Sequence, residues 1–252
     1  MRSFRRCIMG KDTVKLQNKG KTQMVAHRGL TVEEMGNTIP AFRDAAKRSH
    51  FGSECDIHVT KDKKIVVNHD DDLGSTCDCS MVIEQSLFDD IRQARVIPLY
   101  PDAPHDEQDM RIPTLEEYIE LCRSGDKHCI IELKNNFARE DIISVIDELR
   151  ALDYLHKVIF ISFDLQNCIA LRELLPEQPI QYLIVNYDKG VLETLDKYNF
   201  DLDMYYQTLS AAILKEVQSH GHKVNAWTID DPIHAQYFIS LGIDYITTNC
   251  LE

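Results

Sequence analysis

Short apolar runs alternate with amphipathic helical patterns along almost the whole chain of 252 residues. Eight runs are rich in Val, Ile, Tyr and Phe and have the length of buried parallel strands. These predicted strands are Gln23–Ala26, Ser53–Thr60, Cys129–Lys134, Val158–Phe163, Ile180–Asn186, Leu202–Tyr206, Val224–Ile229 and Tyr245–Thr248. Apolar residues also recur at spacings of three and four between the runs, which is typical of helices packed on a core. The predicted helices are Pro40–Lys47, Leu115–Cys122, Asp141–Leu152, Leu165–Leu175, Leu209–Ser219 and Ile233–Leu241.

Eight strands with a crossover after each predict an α/β fold of the (β/α)8 TIM-barrel type, whose usual size is about 250 residues. An open, doubly wound sheet is the alternative, but no glycine-rich nucleotide fingerprint follows the first strand. The stretch 65–111 interrupts the alternation with an extra strand at Ile65–Asn68 and a polar, proline-containing run. We therefore expect an insertion of about residues 73–111 between the second and third barrel strands, where long insertions usually serve function.

Proline and glycine punctuate the predicted helices. Pro113 and Pro232 are placed as first-turn residues. Gly221 and Gly242 follow helices at the position where a left-handed residue is wanted.

The charge distribution separates a basic start from an acidic remainder. The whole chain carries 28 Lys and Arg against 41 Asp and Glu, a net charge of −13. Residues 1–22 hold seven Lys or Arg and one Asp, 7 − 1 = +6, so the remainder is −13 − 6 = −19. We interpret residues 1–22 as a solvated basic tail and residues 23–252 as one barrel domain. The negative charge disfavours a nucleic-acid partner.

The start of the sequence and the cysteines indicate where in the cell the protein is expected. The start has no apolar segment of the signal-peptide kind, and no stretch approaches the roughly 18 apolar residues of a spanning helix. We expect a cytoplasmic protein without an integral membrane segment, and organelle targeting by the tail is the alternative left open. Most of the eight cysteines sit in apolar runs, so we interpret them as buried thiols. The oligomeric state is left open.

The second predicted strand carries acidic residues on one face. Because strand side chains alternate, Glu54, Asp56 and His58 share one face, and Cys55 and Ile57 share the other. Two carboxylates pointing into a barrel repel each other, and a hard divalent cation would relieve that cost. A solvent-facing strand with ordinary acids is the simpler alternative.

The third predicted strand has a similar pattern at its end. Glu132 and Lys134 share a face near the carboxyl end of the strand, where barrel active sites lie. Glu132 would supply a further oxygen ligand, and Lys134 would pair with it or bind an anion. A strand-end salt bridge explains the same two residues.

Two histidines end strands. His27, Arg28 and Gly29 close the first strand, and a histidine beside an arginine suits proton transfer next to an anion. His69 ends the extra strand, and Asp70 or Asp71 either orients it or lies in solvent.

Together these segments resemble a known family, the glycerophosphodiester phosphodiesterases. The resemblance covers about residues 23–250 and depends on the order of its motifs. They are His27-Arg28-Gly29, Asn37-Thr38, Glu54-x-Asp56-x-His58-x-Thr60-x-Asp62, Val67-x-His69-Asp70, Arg111 to Glu117, Ile131-Glu132-Leu133-Lys134, Ala226 to Asp230 and Gly242 to Asn249.

The resemblance implies a TIM barrel that hydrolyses glycerophosphodiesters to sn-glycerol 3-phosphate and an alcohol, with metal assistance. It implies one divalent cation, and three carboxylate ligands favour Mg²⁺ or Ca²⁺. The implied roles are metal ligation by Glu54, Asp56 and Glu132, acid–base catalysis by His27 and His69, phosphate binding by Arg28 and Lys134, and a substrate-facing wall at Trp227.

Three positions depart from the family pattern. Gly36 stands where the family usually has Glu, Gly74 where it often has Arg, and Asn249 where it has Asp. Glu33 or Glu34 is the candidate to compensate for Gly36. The departures bear on substrate preference and rate more than on reaction class.

Two other functions remain as alternatives. A lysophospholipase D-type enzyme would need an apolar surface on the insertion, which is mainly polar in sequence. A catalytically silent binding module would lack a ligand carboxylate or a histidine, and all five are present.

Overall fold

The structure, a computed structural model, describes residues 12–100 and 106–252. These residues form nine strands and eight α-helices. The strands are β1 (Gln23–Ala26), β2 (Gly52–Val59), β3 (Ile65–Val67), β4 (His128–Leu133), β5 (Val158–Ser162), β6 (Ile180–Ile184), β7 (Asp201–Tyr205), β8 (Val224–Trp227) and β9 (Tyr245–Thr248). The helices are α1 (Ile39–Ala46), α2 (Phe88–Ile91), α3 (Leu115–Ser124), α4 (Arg139–Ala151), α5 (Leu165–Leu174), α6 (Lys189–Tyr198), α7 (Ala211–Ser219) and α8 (Pro232–Ser240).

Eight of the strands close into a parallel barrel. The order around the sheet is β1-β9-β8-β7-β6-β5-β4-β2, and β1 pairs with β2 to complete the circle. β3 pairs antiparallel with β2 outside this circle. The predicted (β/α)8 TIM barrel is confirmed, and all eight predicted strands are present with shifts of at most two residues at their ends.

The apolar face of each barrel strand packs against the helices. Cys55 and Ile57 of β2 are fully buried in the large core that these helices cover. The strand alternation therefore directs Glu54 and Asp56, which are also buried, to the inside of the barrel. The parallel register sets Asp56 beside Glu132 of β4.

The insertion folds around a small core of its own. Leu73, Cys77, Ile83, Ile91 and Val96 are buried together there. The pairings Asp72↔Val82 and Cys77↔Val96 hold its loops, which contain a 3-10 turn and α2. As predicted, it lies between the second and third barrel strands, β2 and β4.

The described part of the basic tail lies against the barrel. Val14 and Leu16 donate backbone hydrogen bonds to Cys250 and Glu252, and Glu252 donates one back to Val14. Residues 12–22 therefore lie along the barrel, paired with the last residues of the chain, while most of their side chains are exposed. Residues 1–11 of the tail lie outside the described residues.

Three local predictions have different outcomes. Pro232 begins α8, and Gly221 and Gly242 have φ of +93° and +82° after α7 and α8, as predicted. Pro113 is wrong as a helix residue, because Thr114 caps α3 with its side chain and the helix begins at Leu115.

Among the described residues, the prediction of buried thiols is confirmed for Cys55, Cys77, Cys122, Cys129 and Cys168. Cys79 is a free thiol but only half-buried. Cys250 is disulfide-bonded, so the prediction is wrong for this residue, and Cys7 lies outside the described residues. Each helix of the described residues is too short or too polar to cross a bilayer.

Candidate active site

Three carboxylates meet inside the barrel, two from the middle of β2 and one from the carboxyl end of β4. Glu54, Asp56 and Glu132 are buried, and one oxygen of each lies within 4.8 Å of the others. Burial together with the neighbouring Asp56 raises the pKa of Glu54 well above its ordinary value and that of Glu132 to about 8. Negative charge is thus concentrated where water cannot screen it, which is the condition a bound cation relieves.

Two cationic side chains flank the carboxylates. Arg28 Nε lies 3.3 Å from Asp56 Oδ2, and Lys134 Nζ lies 3.3 Å from Asp56 Oδ1 and 2.8 Å from Glu132 Oε1. Burial by itself would raise the pKa of Asp56, but Arg28 and Lys134 outweigh it and hold that pKa below its usual range. Lys134 therefore pairs with the carboxylates. It also lines a cavity beside them, where its ammonium group can contact a bound anion.

The turn after β1 brings Arg28 to the cluster. Arg28 and Gly29 adopt φ of +58° and +81°, and the Arg28 backbone N–H donates to Glu54 Oε2 at 2.8 Å. A Cβ on Gly29 would lie 2.6 Å from the Ala41 carbonyl carbon, so only glycine fits there. Asn37, whose role the sequence did not reveal, donates from its side chain to Asp56 Oδ2 at 2.7 Å.

His27 is held by the last strand of the barrel. Its Nδ1 lies 2.8 Å from Asn249 Oδ1, and Asn249 donates through Nδ2 to Asp230 Oδ2 at 2.7 Å. Since an amide oxygen only accepts, His27 Nδ1 carries the proton and Nε2 has the free lone pair. Burial, reinforced by the positive charge of Arg28, lowers the pKa of His27 to about 4, so the ring is neutral near pH 7.

His69 has a different partner. Its Nδ1 lies 2.6 Å from Asp70 Oδ1, and Ser75 donates to the other oxygen of Asp70 at 2.5 Å. Of the two roles considered for Asp70, the structure therefore favours orienting His69. Burial lowers the pKa of His69, while the Asp56 and Asp70 carboxylates act in the opposite direction.

His58 does not join this group, although it shares the strand face of Glu54 and Asp56. Its ring is fully buried, and Nδ1 lies 3.7 Å from Glu84 of the insertion. β2 extends past the cavity at His58. Strand alternation predicts which face a residue is on, but not whether that residue reaches the cavity.

Most of these side chains line one cavity of about 70 Å³. Of the eight predicted site residues, seven line it: His27, Arg28, Glu54, His69, Glu132, Lys134 and Trp227. Asp56 lies directly behind Arg28 and Lys134. The Trp227 ring forms one wall; it meets the Phe163 ring edge-to-face at a centroid distance of 5.6 Å and the Tyr205 ring at a tilt, 5.3 Å away.

Further cavity residues were not singled out from the sequence. They are Ile161, Phe163, Leu183, Asp203 and Thr247. Each belongs to an apolar strand run, so only the strand register indicates that it faces the barrel interior.

An apolar groove of about 260 Å³ adjoins the cavity. His27 and Arg28 line both spaces, and Val32, Met35 and Leu99 contribute apolar surface to the groove. Leu99 and Ile97 of the insertion are 46% and 47% exposed. The insertion is therefore less polar at this edge than its sequence suggested.

The three departures from the family pattern lie at different depths. Gly36 touches the Arg28 side chain, since a Cβ there would lie 3.0 Å from Arg28 Cβ. Neither Glu33 nor Glu34 belongs to the carboxylate cluster, whereas Glu34 lines the adjoining groove with Gly36 and Arg28. Gly74 is exposed in the insertion, whereas Asn249 bonds directly to His27.

The residues present fit a hard divalent cation. All three donors are carboxylate oxygens, which suit Mg²⁺ and Ca²⁺ rather than soft metals. Two of the three carboxyls have raised pKa values, so their charged form is unfavourable without a positive partner.

Comparison with known proteins identifies the family. The family model described as the glycerophosphoryl diester phosphodiesterase family matches residues 27–252. The chain belongs to this family. It is therefore an enzyme of the phosphodiesterase class, and the resemblance drawn from the sequence motifs is confirmed.

Individual relatives cover almost the whole chain. A glycerophosphodiester phosphodiesterase of Caldanaerobacter subterraneus is 27% identical over 238 residues, 91% of this chain and 94% of its own. A crystal structure of a glycerophosphodiester phosphodiesterase from Parabacteroides distasonis superposes with a TM-score of 0.78 at 26% identity, covering 92% and 94% of the two chains. An Oleispira antarctica phosphodiesterase, solved with the product sn-glycerol-3-phosphate, shares the fold with a TM-score of 0.82 at 24% identity, covering 90% and 92%.

Proposed function

We propose that this phosphodiesterase hydrolyses small glycerophosphodiesters to sn-glycerol 3-phosphate and an alcohol, with one divalent cation, Mg²⁺ or Ca²⁺. The observation that carries the proposal is the single cavity around which three carboxylates, two cationic side chains and two histidines converge. The product bound to the Oleispira antarctica relative supports the same substrate class.

Charge complementarity assigns the binding groups. Glu54, Asp56 and Glu132 would hold the cation, which when bound neutralises phosphate charge and polarises the ester. Arg28 and Lys134 would bind the phosphate oxygens, because both lie at the cavity wall and keep their positive charge beside Asp56. Preorganised charges of this kind stabilise the negative charge that develops in the transition state.

The partners of the two histidines distinguish their roles. His27 is neutral with a free Nε2, so it would accept the proton from the nucleophile. Asp70 stabilises the protonated form of His69, so His69 would donate the proton to the departing alkoxide. The nucleophile is either water or the neighbouring glycerol hydroxyl, which would form a cyclic phosphate first. Trp227 would close the cavity against the glycerol half.

An activity assay with matched variants tests this proposal. Purified protein is incubated with glycerophosphocholine or glycerophosphoethanolamine in Mg²⁺, Ca²⁺ or EDTA, and released glycerol 3-phosphate is measured. We expect metal-dependent release that His27→Ala and Glu54→Ala abolish, and that the exposed Glu193→Gln leaves unchanged. Full activity in excess EDTA from metal-free protein would refute the metal role. Silence on every diester from folded, metal-bound protein would instead favour the binding module.

The apolar groove supports a second candidate, a lysophospholipase D-type activity. Because His27 and Arg28 line both spaces, a substrate with its phosphate in the cavity can extend a hydrocarbon chain along Val32, Met35 and Leu99. Choline release from lysophosphatidylcholine, compared with glycerophosphocholine, measures this activity. If the groove binds the chain, Leu99→Ser lowers kcat/KM for the lysolipid alone. Ile97→Ser, equally exposed but outside the groove lining, serves as the control.

A further inference from the structure

One carboxyl group in the cavity has no part in the proposed chemistry. Asp203 lies on β7 and is 1% exposed. Its Oδ1 is buried without a hydrogen-bond partner among the described residues. An unsatisfied buried acceptor is costly, and such atoms cluster at sites where a ligand completes the bonding.

The neighbours of Asp203 leave its Oδ1 without a well-formed hydrogen bond. Asn225, its register partner on β8, donates its side-chain N–H groups to Thr247 Oγ1 at 3.0 Å and to Gln181 Oε1 at 3.4 Å, and it approaches the Asp203 carboxyl closely enough to oppose the rise in its pKa. Leu183, its partner on β6, is apolar. Asp203 lines the cavity together with Trp227 and Thr247, so its carboxyl group borders the space that a small ligand would enter.

The barrel topology places Asp203 across from the phosphate-binding side. In the closed order of eight strands, β7 is four strands from β2 in either direction, so Asp203 lies opposite Glu54 and Asp56. A substrate whose phosphate contacts Arg28 and Lys134 thus directs one of its two ester groups towards Asp203. Ile161 and Leu183 line this part of a cavity of only about 70 Å³, which suits a three-carbon polyol better than a bulky headgroup.

We propose that Asp203 is a specificity-determining residue that binds a hydroxyl group of the glycerol half of the substrate. This inference rests on the proposed function. Oδ1 accepts a hydrogen bond from the hydroxyl, whereas a plain alkyl ester leaves the same oxygen buried and unpaired. Sites built to bond a substrate hydroxyl discriminate strongly against analogues that lack it.

Burial also affects the charge of this group. It raises the pKa of Asp203 well above its ordinary value, with the negative Glu132 acting in the same direction. A neutral carboxyl can donate as well as accept, so it suits a hydroxyl group, which does both.

Ligand binding to the full chain, in saturating Mg²⁺ or Ca²⁺, tests the inference without requiring turnover. Calorimetry compares sn-glycerol 3-phosphate with propyl phosphate, which has the same phosphate and no hydroxyls. For Asp203→Ala we expect roughly 10- to 100-fold weaker binding of glycerol 3-phosphate and less than about threefold change for propyl phosphate. Asp203→Asn keeps an oxygen in place and retains affinity within about threefold.

The experiment also needs a control variant and a substitute in case Asp203→Ala does not fold. Leu183→Val changes the cavity shape beside Asp203 without removing an acceptor, so it should affect both ligands equally. Equal loss of both ligands in Asp203→Ala, or no loss of either, overturns the inference. If Asp203→Ala does not fold, as judged by thermal melting, the nearly isosteric Asp203→Leu takes its place, because it also removes the acceptor. The same selective loss of glycerol 3-phosphate is expected, and an equal effect on both ligands overturns the inference.

The binding result separates this inference from the proposed function. Wild-type protein that prefers glycerol 3-phosphate to propyl phosphate but hydrolyses no diester refutes the function and leaves the hydroxyl site standing. Wild-type protein that hydrolyses diesters while Asp203→Ala keeps the same preference refutes the hydroxyl site alone.

Discussion

At the scale of single residues, the two histidines differ in what lies behind the ring. An amide oxygen of Asn249 holds His27, and a carboxylate of Asp70 holds His69. An amide fixes the tautomer without stabilising the charged ring, whereas a carboxylate does both. The proposed assignment of His27 as the base and His69 as the acid rests on this difference.

Removing the Asp70 carboxylate gives the first prediction. In Asp70→Asn the protonated form of His69 loses a stabilising charge, so the pKa of His69 falls further. The acid form is then lost at lower pH, and the alkaline limb of the kcat/KM profile moves to lower pH. We also expect a loss of roughly 10- to 10²-fold in kcat.

A pH–rate profile of both enzymes measures this shift. Ser75→Ala, which removes only the hydrogen bond to Asp70, should move the limb less. An unchanged alkaline limb in Asp70→Asn would show that His69 is not the acid.

At the scale of elements, sequence periodicity located the barrel strands but not every helix. Asp188 caps the start of α6 by accepting hydrogen bonds from the Gly190 and Val191 backbone N–H groups, and this helix was not predicted from the sequence. Gly190 in its first turn weakens the local helical signal. The predicted start of α3 at Leu115 is confirmed, but Pro113 lies before the helix, because the capping box of Thr114 and Glu117 fixes where the helix begins.

The turn between β1 and α1 gives the second prediction. Gly29→Ala forces a Cβ against the Ala41 backbone at positive φ. We expect a destabilisation of roughly 2–5 kcal/mol, from left-handed strain together with overpacking. Because Arg28 and His27 precede this turn, activity should fall as well, even at temperatures where the variant is folded.

A second glycine provides the matched control. Gly242 has nearly the same φ, +82°, with no atom within 4 Å of an added Cβ. Gly242→Ala should therefore cost only the strain of about 1–2 kcal/mol and leave activity intact. Denaturant unfolding measures both variants, and equal destabilisation of the two would show that the Ala41 contact is unimportant.

At the scale of the whole molecule, the barrel holds three carboxyl groups close together at its centre, where their negative charges repel one another. Glu54, Asp56 and Glu132 come from two strands whose register is fixed by the entire sheet, so the fold imposes their proximity. A cation that binds only the folded protein relieves this repulsion and stabilises the molecule.

The third prediction follows from the protons that compete with the cation. Because the pKa of Glu132 is raised to about 8 and that of Glu54 is raised too, both carboxyls bind protons more tightly when folded. Cation affinity therefore falls as pH is lowered. We expect Ca²⁺ or Mg²⁺ to raise the melting temperature more at about pH 8 than at about pH 6, with stabilisation of about 2.7 kcal/mol at a hundredfold excess over Kd.

Thermal melting with and without metal at each pH measures this effect. Glu132→Gln should lose most of the metal-dependent shift, and the exposed Glu193→Gln should keep all of it. A shift that is equal at both pH values, or that persists in Glu132→Gln, would contradict a site built on these carboxylates.

The sequence by itself determined the barrel and most of the site, because the relevant signals are local. Strand alternation within eight residues placed Glu54 and Asp56 on the inner face, and the motif order indicated the family. The tertiary structure decided what depends on distant residues. It paired His27 with Asn249, 222 positions away, brought the insertion's Leu99 to the groove, and turned the unremarked Asp203 towards the cavity. Such contacts depend on the closure and register of the whole barrel. A short stretch of sequence carries no information about which distant residues will lie beside it.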